Sequence, residues 1–570
     1  MSIRIKNLLF LFVSFSLFQC VPPEEVVLTE VTRNLKDSTL QQIILFQDQQ
    51  ITDSLIPFFK HKDPSYRYAS AMAFGSTKDK TALDSLVLLL KDPIQEVRVA
   101  AAYAIGQLGD IRGADLLMNS FEQYDTARQY VKSNSIILEA VGKIAPKETL
   151  DLLTGISTYK VTDTLLLTGQ AYGIYRFALR GITSPEGTSK MLTFINNRLY
   201  PHKVRWIAAN YLGRAKNIDI TDNIKSLSET LASEGDANIR IPLALAIGKI
   251  KTPEATNTLL NQLHTDTDYR VKVNAIRALD GADYDSVNTQ ILSLLNDDNL
   301  SVAAMGAQFF IKNGIPRQAA NYYRMAKEDW PWQVKIALLE AANKHLPKYM
   351  VETKGGINST LRKQLLTAET SAEKASILRA LGDYGWNYQF MLEQIPNLTT
   401  STEKSSIVEG IGRIIANPDF NKVFGISRRR ITRELSNFML DVFKSGDVGS
   451  IAVASGILNG INDNFKTVLQ DSLPIILTAQ KNLKLPEATE TYNEVQKAID
   501  FFQGTKTTEN NTPAFNHPID MDLFNQVTIS AAAVLQTDKG KIRMELFPLL
   551  APGTVVNLSL LHISEPTRPY

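Results

Sequence analysis

The stretch "VRVAAAYAIG", Val97–Gly106, decides the fold. Its apolar and alanine residues recur at three- and four-residue spacing, which is one face of a helix. Its alanines carry little bulk, so a neighbouring helix can approach closely. The phrase returns as "YRYASAMAFG" (Tyr66–Gly75), "VRWIAANYLG" (Val204–Gly213), "IRIPLALAIG" (Ile239–Gly248), "VKVNAIRALD" (Val271–Asp280), "EKASILRALG" (Glu373–Gly382) and "EKSSIVEGIG" (Glu403–Gly412). Some neighbouring copies lie 30 or 31 residues apart. A second apolar helix precedes several copies, as in "LDSLVLLLKDP" (Leu83–Pro93) and "VNTQILSLLNDD" (Val287–Asp298). Asp-Pro there stops the first helix, because proline cannot continue the hydrogen-bond ladder. The glycine closing six of these seven phrases is expected to end the second helix in the left-handed conformation. A two-helix unit of this size cannot bury its apolar face alone, but stacked units can.

The pattern resembles HEAT repeats of the short kind, over Gln41 to Gly504, in about a dozen units. The expected fold is therefore an all-α, HEAT-like α-solenoid. The match is strongest from Ile51 to Gly314. "EDWPWQ" (Glu328–Gln333) and "LPKYMVETKGG" (Leu346–Gly356) interrupt its rhythm. The resemblance implies a protein-binding scaffold and names no catalytic residue.

Composition agrees with a folded body: 44% of residues are hydrophobic and 21% charged. The 61 basic and 59 acidic residues leave a net charge of +2, which gives no general reason to expect nucleic acid as a partner. Arg428, Arg429 and Arg430, with Arg433, form the one dense basic spot, read as a solvated helix face. The single cysteine, Cys20, excludes an internal disulfide and a cysteine-based zinc site. The six histidines, His61, His202, His264, His345, His517 and His562, show no metal-ligand spacing. No His-Glu dipeptide occurs, which argues against the di-iron hydroxylases built on similar repeats. No cofactor and no metal are expected.

At the N-terminus, "MSIRIKNLLFLFVSFSLFQC" has basic Arg4 and Lys6 and then an apolar run, Leu8 to Phe18. Eleven residues are too few to span a bilayer, so the run has the form of a secretory signal. "LFQC", Leu17 to Cys20, resembles a bacterial lipobox, although Gln19 is bulkier than the usual residue before the cysteine. The resemblance implies acylation of Cys20 and anchoring to a membrane of the cell envelope, outside the cytoplasm and taken as the outer membrane. The alternative is a plain signal peptide. Residues 1–20 are thus read as leader and 21–40 as tether.

Near the other end, "GTKTTENNTPAFNHP" reads as a linker, assigned to 505–518. Beyond it, "AVLQT" and "KIRMELF" alternate and flank "DKG" (Asp538–Gly540), a hairpin signal. Ile542, Met544 and Leu546 share one face. Pro552 can start a helix. Thr537, Gly540, Glu545, Leu546, Phe547, Ala551, Pro552, Thr554, Val555 and Asn557 resemble, in order and spacing, the opening of cyclophilin-type peptidyl-prolyl isomerases. That family is an eight-stranded closed barrel, which two strands cannot make. Its catalytic arginine and glutamine follow the first helix and have no counterpart before Asn557. Residues 519–557 are therefore read as the first part of such a domain, without activity, and expected to be poorly ordered or to dock loosely on the last solenoid helices. The tail "LSLLHISEPTRPY", 558–570, resembles a translated sequencing adapter, with Leu561 the one departure, and is left out of the functional reading.

The sequence thus suggests two functions. One is a lipid-anchored, extracytoplasmic peptidyl-prolyl isomerase and folding factor whose solenoid holds exported clients or an envelope complex. The other is a scaffold alone.

Overall fold

A computed structural model describes residues 29–157, 163–506, 508–512, 518–527 and 531–564. Cys20 and the leader lie outside them. The described residues fall into two compact units. One lies within Met1–Lys190, Leu199–Ile207 and Phe515–Tyr570, the other within Met191–Arg198 and Ala208–Ala514. Both are built from helix pairs.

In the first unit, Ser38–Asp48, Pro64–Thr77, Gln95–Leu108, Val131–Ile144 and Thr164–Leu179 stack in one row, each on the next. In the second, a row runs from Ala237–Ile247 through Tyr269–Ala278, Leu300–Asn313, Trp332–His345, Ser371–Leu381 and Ser401–Ile415 to Val448–Leu458 and Thr489–Gln503. Six of the repeated phrases lie in row helices, and the seventh, Val204–Gly213, lies in His202–Arg214. The helices before them, such as Leu83–Leu89 and Ile224–Ser233, flank the row and cover its apolar side.

The phrase-ending glycine does not do what its position suggests. Gly75 and Gly106 lie inside their helices, and Gly248 and Gly382 keep right-handed backbone. The left-handed caps are Lys78 and Gly109, three residues further on, and Gly504 at the end of the array. The glycines instead mark where successive row helices touch. A Cβ on Gly106 would lie 2.9 Å from the Cα of Ala140. One on Gly142 would lie 2.2 Å from the carbonyl oxygen of Gly173, and one on Gly410 2.4 Å from that of Leu378. No side chain fits at such distances, so the backbones meet directly.

That proximity brings polar groups at both helix ends within reach of the next repeat. At the start, the second residue of the phrase is a cation. Arg67 forks onto Asp92 at 2.7 and 3.0 Å, Arg240 onto Asp266 at 2.8 and 2.9 Å, and Lys272 reaches Asp297 at 2.9 Å. Each acceptor sits in the turn of the following repeat and also takes the amide two residues on, from Ile94, Asp268 and Asn299. Burial pushes the Asp266 carboxyl up, but bonds from Arg240, the Asp268 amide and Gln262 outweigh it and hold it below the ordinary carboxylate value. At the far end, a side chain from one row helix caps the carbonyls of the helix before. Arg180 reaches Ala145 O at 2.8 Å, Lys249 reaches Leu212 O and Ala215 O at 2.6 Å each, and the His345 ring lies 3.1 Å from Phe310 O.

The row also continues where the sequence rhythm breaks. Trp332–His345 packs between Leu300–Asn313 and Ser371–Leu381, its partner is the short helix Ala319–Met325, and the long helix Val351–Thr367 packs on Ser371–Leu381 and on Trp332–His345. Three buried asparagines close this joint. Asn343 and Asn358 exchange amide bonds at 3.1 and 3.0 Å, and Asn387 donates to Asn358 at 2.6 Å and to Leu381 O at 2.8 Å. Arg362 supplies donors to the Asn387 oxygen. A satisfied polar network of this kind holds one register where apolar packing would allow several.

The C-terminal segment carries the hairpin, β1 Ala532–Thr537 paired antiparallel with β2 Gly540–Glu545, then the helix Pro552–Ser564. It does not dock on the last helices of the array. It lies against the first ones: Ile519 N donates to Asp48 at 3.0 Å, and Gln41 donates to Asn525 at 2.8 Å. Ile519, Leu550 and Pro552 face Leu40, Ile43, Ile44, Tyr68 and Met72 across a groove of about 570 Å³. Among the described residues, no repeat precedes the Ser38–Asp48 helix on this flank. The hairpin itself stays open to solvent, with Ile542 52% exposed.

Glycine contacts of this kind separate two substitutions that sequence alone would equate. Gly410→Ala is expected to destabilise the array by about 1–3 kcal/mol through overpacking against the Leu378 carbonyl. Gly456→Ala, inside Val448–Leu458 with nothing within 4 Å, is expected to stabilise it by about 0.5–1 kcal/mol. Denaturant midpoints of the two variants check the pair.

Candidate functional site on the free face of the stacked helices

Each row helix has one side that touches neither its partner nor its neighbours in the row. The seventh residue of the repeated phrase points there. Met72, Tyr103, Leu245, Arg277, Arg379 and Glu409 occupy that position, and none of them is buried. The residues around it, fifth, sixth, eighth and ninth in the phrase, are small or apolar in most copies, whereas the seventh ranges from methionine to arginine and glutamate. That contrast was readable in the sequence, although the sequence reading above did not use it.

In the first unit side chains of this face join across four helices. The Lys143 ammonium lies 5.3 Å from the Tyr103 ring centre and 3.3 Å from Glu139. Arg176 gives two donors to the same Glu139 oxygen, at 2.8 and 3.1 Å, and its guanidinium lies 5.7 Å from the Tyr172 ring centre. Lys203 approaches Tyr172 from the other side at 5.6 Å. Tyr103 has this freedom because Gly75 lies directly beneath its ring, where a Cβ would meet Cε1 at 2.4 Å. Burial pushes the Tyr172 phenol up, and the Glu139 carboxylate adds to the shift. The arrangement is a half-buried band of aromatic rings beneath cations. It offers apolar area and hydrogen-bond donors together, with side chains already held in place.

In the second unit the same face is charged. Arg413 binds Glu340 at 2.7 Å and lies 3.6 Å from Asp383, while Arg379 lies 3.5 Å from Glu409. Burial raises the Asp383 carboxyl to about 6, and the nearby Glu340 carboxylate pushes the same way against Arg413, Lys344 and Lys354. The Asp383 Oδ2 atom has no hydrogen-bond partner.

Among the described residues, no group of three or more His, Cys, Asp or Glu side chains could hold a metal ion. No helix among them is long and apolar enough to cross a membrane. His61 accepts the Asp63 amide at 3.0 Å, and His345 serves as a helix cap. The residues carrying the cyclophilin resemblance are separate from the aromatic band. Thr537 pairs with Gly540 at the hairpin turn, and Ala551, Pro552 and Thr554 line the groove on the first helices.

Residues 52–133 match the family model described as HEAT repeats. The array is a HEAT-like α-solenoid. No curated protein sequence matches the chain. Among solved structures, importin-β is similar at 13% identity, with a TM-score of 0.43, over 84% of this chain and 64% of its own. A Kap95:Nup1 complex is similar at 12% identity and a TM-score of 0.49, over 81% and 68%. Human deoxyhypusine hydroxylase is similar at 16% identity and a TM-score of 0.20, over 49% and 95%. The chain spans about two thirds of the length of the importin-type structures. At these values the helix pairing itself, and not the neighbours, carries the architecture.

The raised Asp383 pKa gives a signed expectation. Between 3.8 and about 6 the folded chain holds a proton that the unfolded chain releases, so this group's contribution to stability falls as pH rises through that window. Asp383→Asn is expected to remove that slope and to raise the melting temperature at pH 7. Thermal melts from pH 4 to pH 8 check it, and a lower melting temperature at pH 7 would contradict the burial argument.

Proposed function

We propose that the chain is a protein-binding scaffold of the bacterial cell envelope whose free helix face holds exported polypeptide. The observation that carries this reading is the band Tyr103–Lys143–Glu139–Arg176–Tyr172, in which two tyrosines and an arginine, types enriched at protein interfaces, are held in place by Lys143 and Glu139. The HEAT-repeat match over 52–133 supports the scaffold class, since stacked repeats present extended surfaces suited to polypeptide partners. The balanced charge supports a protein partner over nucleic acid.

The finer reading is a folding factor. The hairpin turn at Asp538–Gly540 and the helix start at Pro552 support a cyclophilin-type isomerase domain in the parent protein, with its catalytic residues after Asn557. X-Pro isomerisation is slow enough to limit folding of exported chains, so holding a client beside such a domain has a physical use. The lipobox-like "LFQC" supports an anchor at Cys20.

The holding function is tested with reduced, carboxymethylated lactalbumin as a permanently unfolded client. Tyr103→Ala with Tyr172→Ala is expected to weaken binding about tenfold, close to 1.4 kcal/mol, with the melting temperature nearly unchanged. Equal affinity in the variant, or no binding by the parent chain, would refute the assignment. The anchor has its own test. Cys20→Ser is expected to move the protein from the membrane fraction to the soluble fraction in cells, and retention after a high-salt wash would refute acylation at this residue.

A further inference from the structure

A basic tip on the second unit plays no part in the face described above. Gly425–Ser427 is a single turn joining the helix Phe420–Phe424 to Arg428–Lys444. Gly425 has φ +49°, which lets the chain reverse there. Ile426 follows it and is 100% exposed. Trp386 is 44% exposed nearby, its ring edge-on to Phe424 at 5.1 Å. Arg428, Arg429 and Arg433 are exposed around the turn. The local acids are occupied elsewhere, Asp419 by Lys348 and Lys422 and Glu434 by Arg430. Arg429 and Arg433 lie one helical turn apart and have no acidic partner among the described residues.

Folding does not account for this composition. Cations in the first turn face the positive end of the helix dipole, which disfavours them. A fully exposed isoleucine contributes no burial. Both features become favourable together only against a surface that is negative outside and apolar within. We propose that this tip docks on an anionic lipid bilayer, with Ile426 entering the acyl boundary and Arg428, Arg429 and Arg433 on the headgroup phosphates. A protein interface needs a packed patch of about 800 Å² on each side, and a single projecting side chain on a convex turn supplies none. A nucleic-acid strand would offer the fully exposed Ile426 no apolar phase to enter. A fluid bilayer closes around a convex point. The contact is independent of Cys20 and of the client-binding face.

The full chain is mixed with vesicles of phosphatidylcholine alone or with about one third phosphatidylglycerol, and hydrogen exchange of residues 420–434 is followed. The leader is common to all variants, so this local protection reads the tip alone. Protection is expected on the anionic vesicles, to be reduced by salt, and to be absent on the neutral ones. Each cation near such a surface is worth about a factor of five, so Arg428→Glu, Arg429→Glu and Arg433→Glu together are expected to weaken it by about a hundredfold. Ile426→Asp is expected to weaken it with the arginines intact. No protection on anionic vesicles, or the same protection in the triple variant, overturns the proposal. So does protection by soluble polyglutamate equal to that by vesicles and insensitive to Ile426→Asp, which would assign the tip to an acidic protein.

Discussion

The direct backbone contact between successive row helices, made at glycines such as Gly106, Gly142 and Gly410, sets every other dimension of the array. A methyl group at these points would push neighbouring helices apart by a large fraction of an ångström. The cations at the second phrase position would then miss their carboxylates, because a guanidinium fork tolerates little displacement. The caps at the far ends would lengthen too. Small residues in the middle and long polar residues at the ends are therefore one design. The glycines fix the spacing, and Arg67, Arg240 and Lys272 fix the rotation of each repeat on the next.

The ion pairs in this ladder act mainly as positioning devices. Asp266 is almost fully buried, so removing Arg240 would strand a charge, whereas replacing both partners with apolar residues could cost little. Their contribution is that only one stacking register satisfies them. The asparagine network at Asn343, Asn358 and Asn387 does the same at the joint of Trp332–His345, where the phrase is absent. Beside it, Asp383 remains buried without a full set of partners, which is the local cost of crowding Glu340, Asp383 and Arg413 onto one face.

The two surfaces that bear on function follow from the same geometry. Tight packing fixes the small and apolar residues on either side of the outward seventh position, so that position is free to vary. There the chain places tyrosines under cations in one unit and paired charges in the other. At Ser38–Asp48, which no repeat precedes among the described residues, the packing rule leaves an apolar flank. The segment around Ile519 and Leu550 covers part of it, which is why this segment lies against the first helices and not the last.

The helical period, the repeat, the Asp-Pro turns and the hairpin at Asp538–Gly540 were legible in the sequence, because each depends on residues within a few positions of one another. So was the absence of metal-ligand spacing. The role of the phrase-ending glycine was not, since a cap and a close contact call for the same residue and differ only in what stands opposite. The stacking through "EDWPWQ" and "LPKYMVETKGG" was also hidden, because there the joint is held by asparagines far apart in the chain and not by the phrase. The band from Tyr103 to Tyr172 and the tip at Ile426 were likewise decided in three dimensions. The sequence determined which residues could form helices and how often they repeat. Only the tertiary structure decided which side of each helix remained free, because that depends on which neighbours the glycines allow to meet.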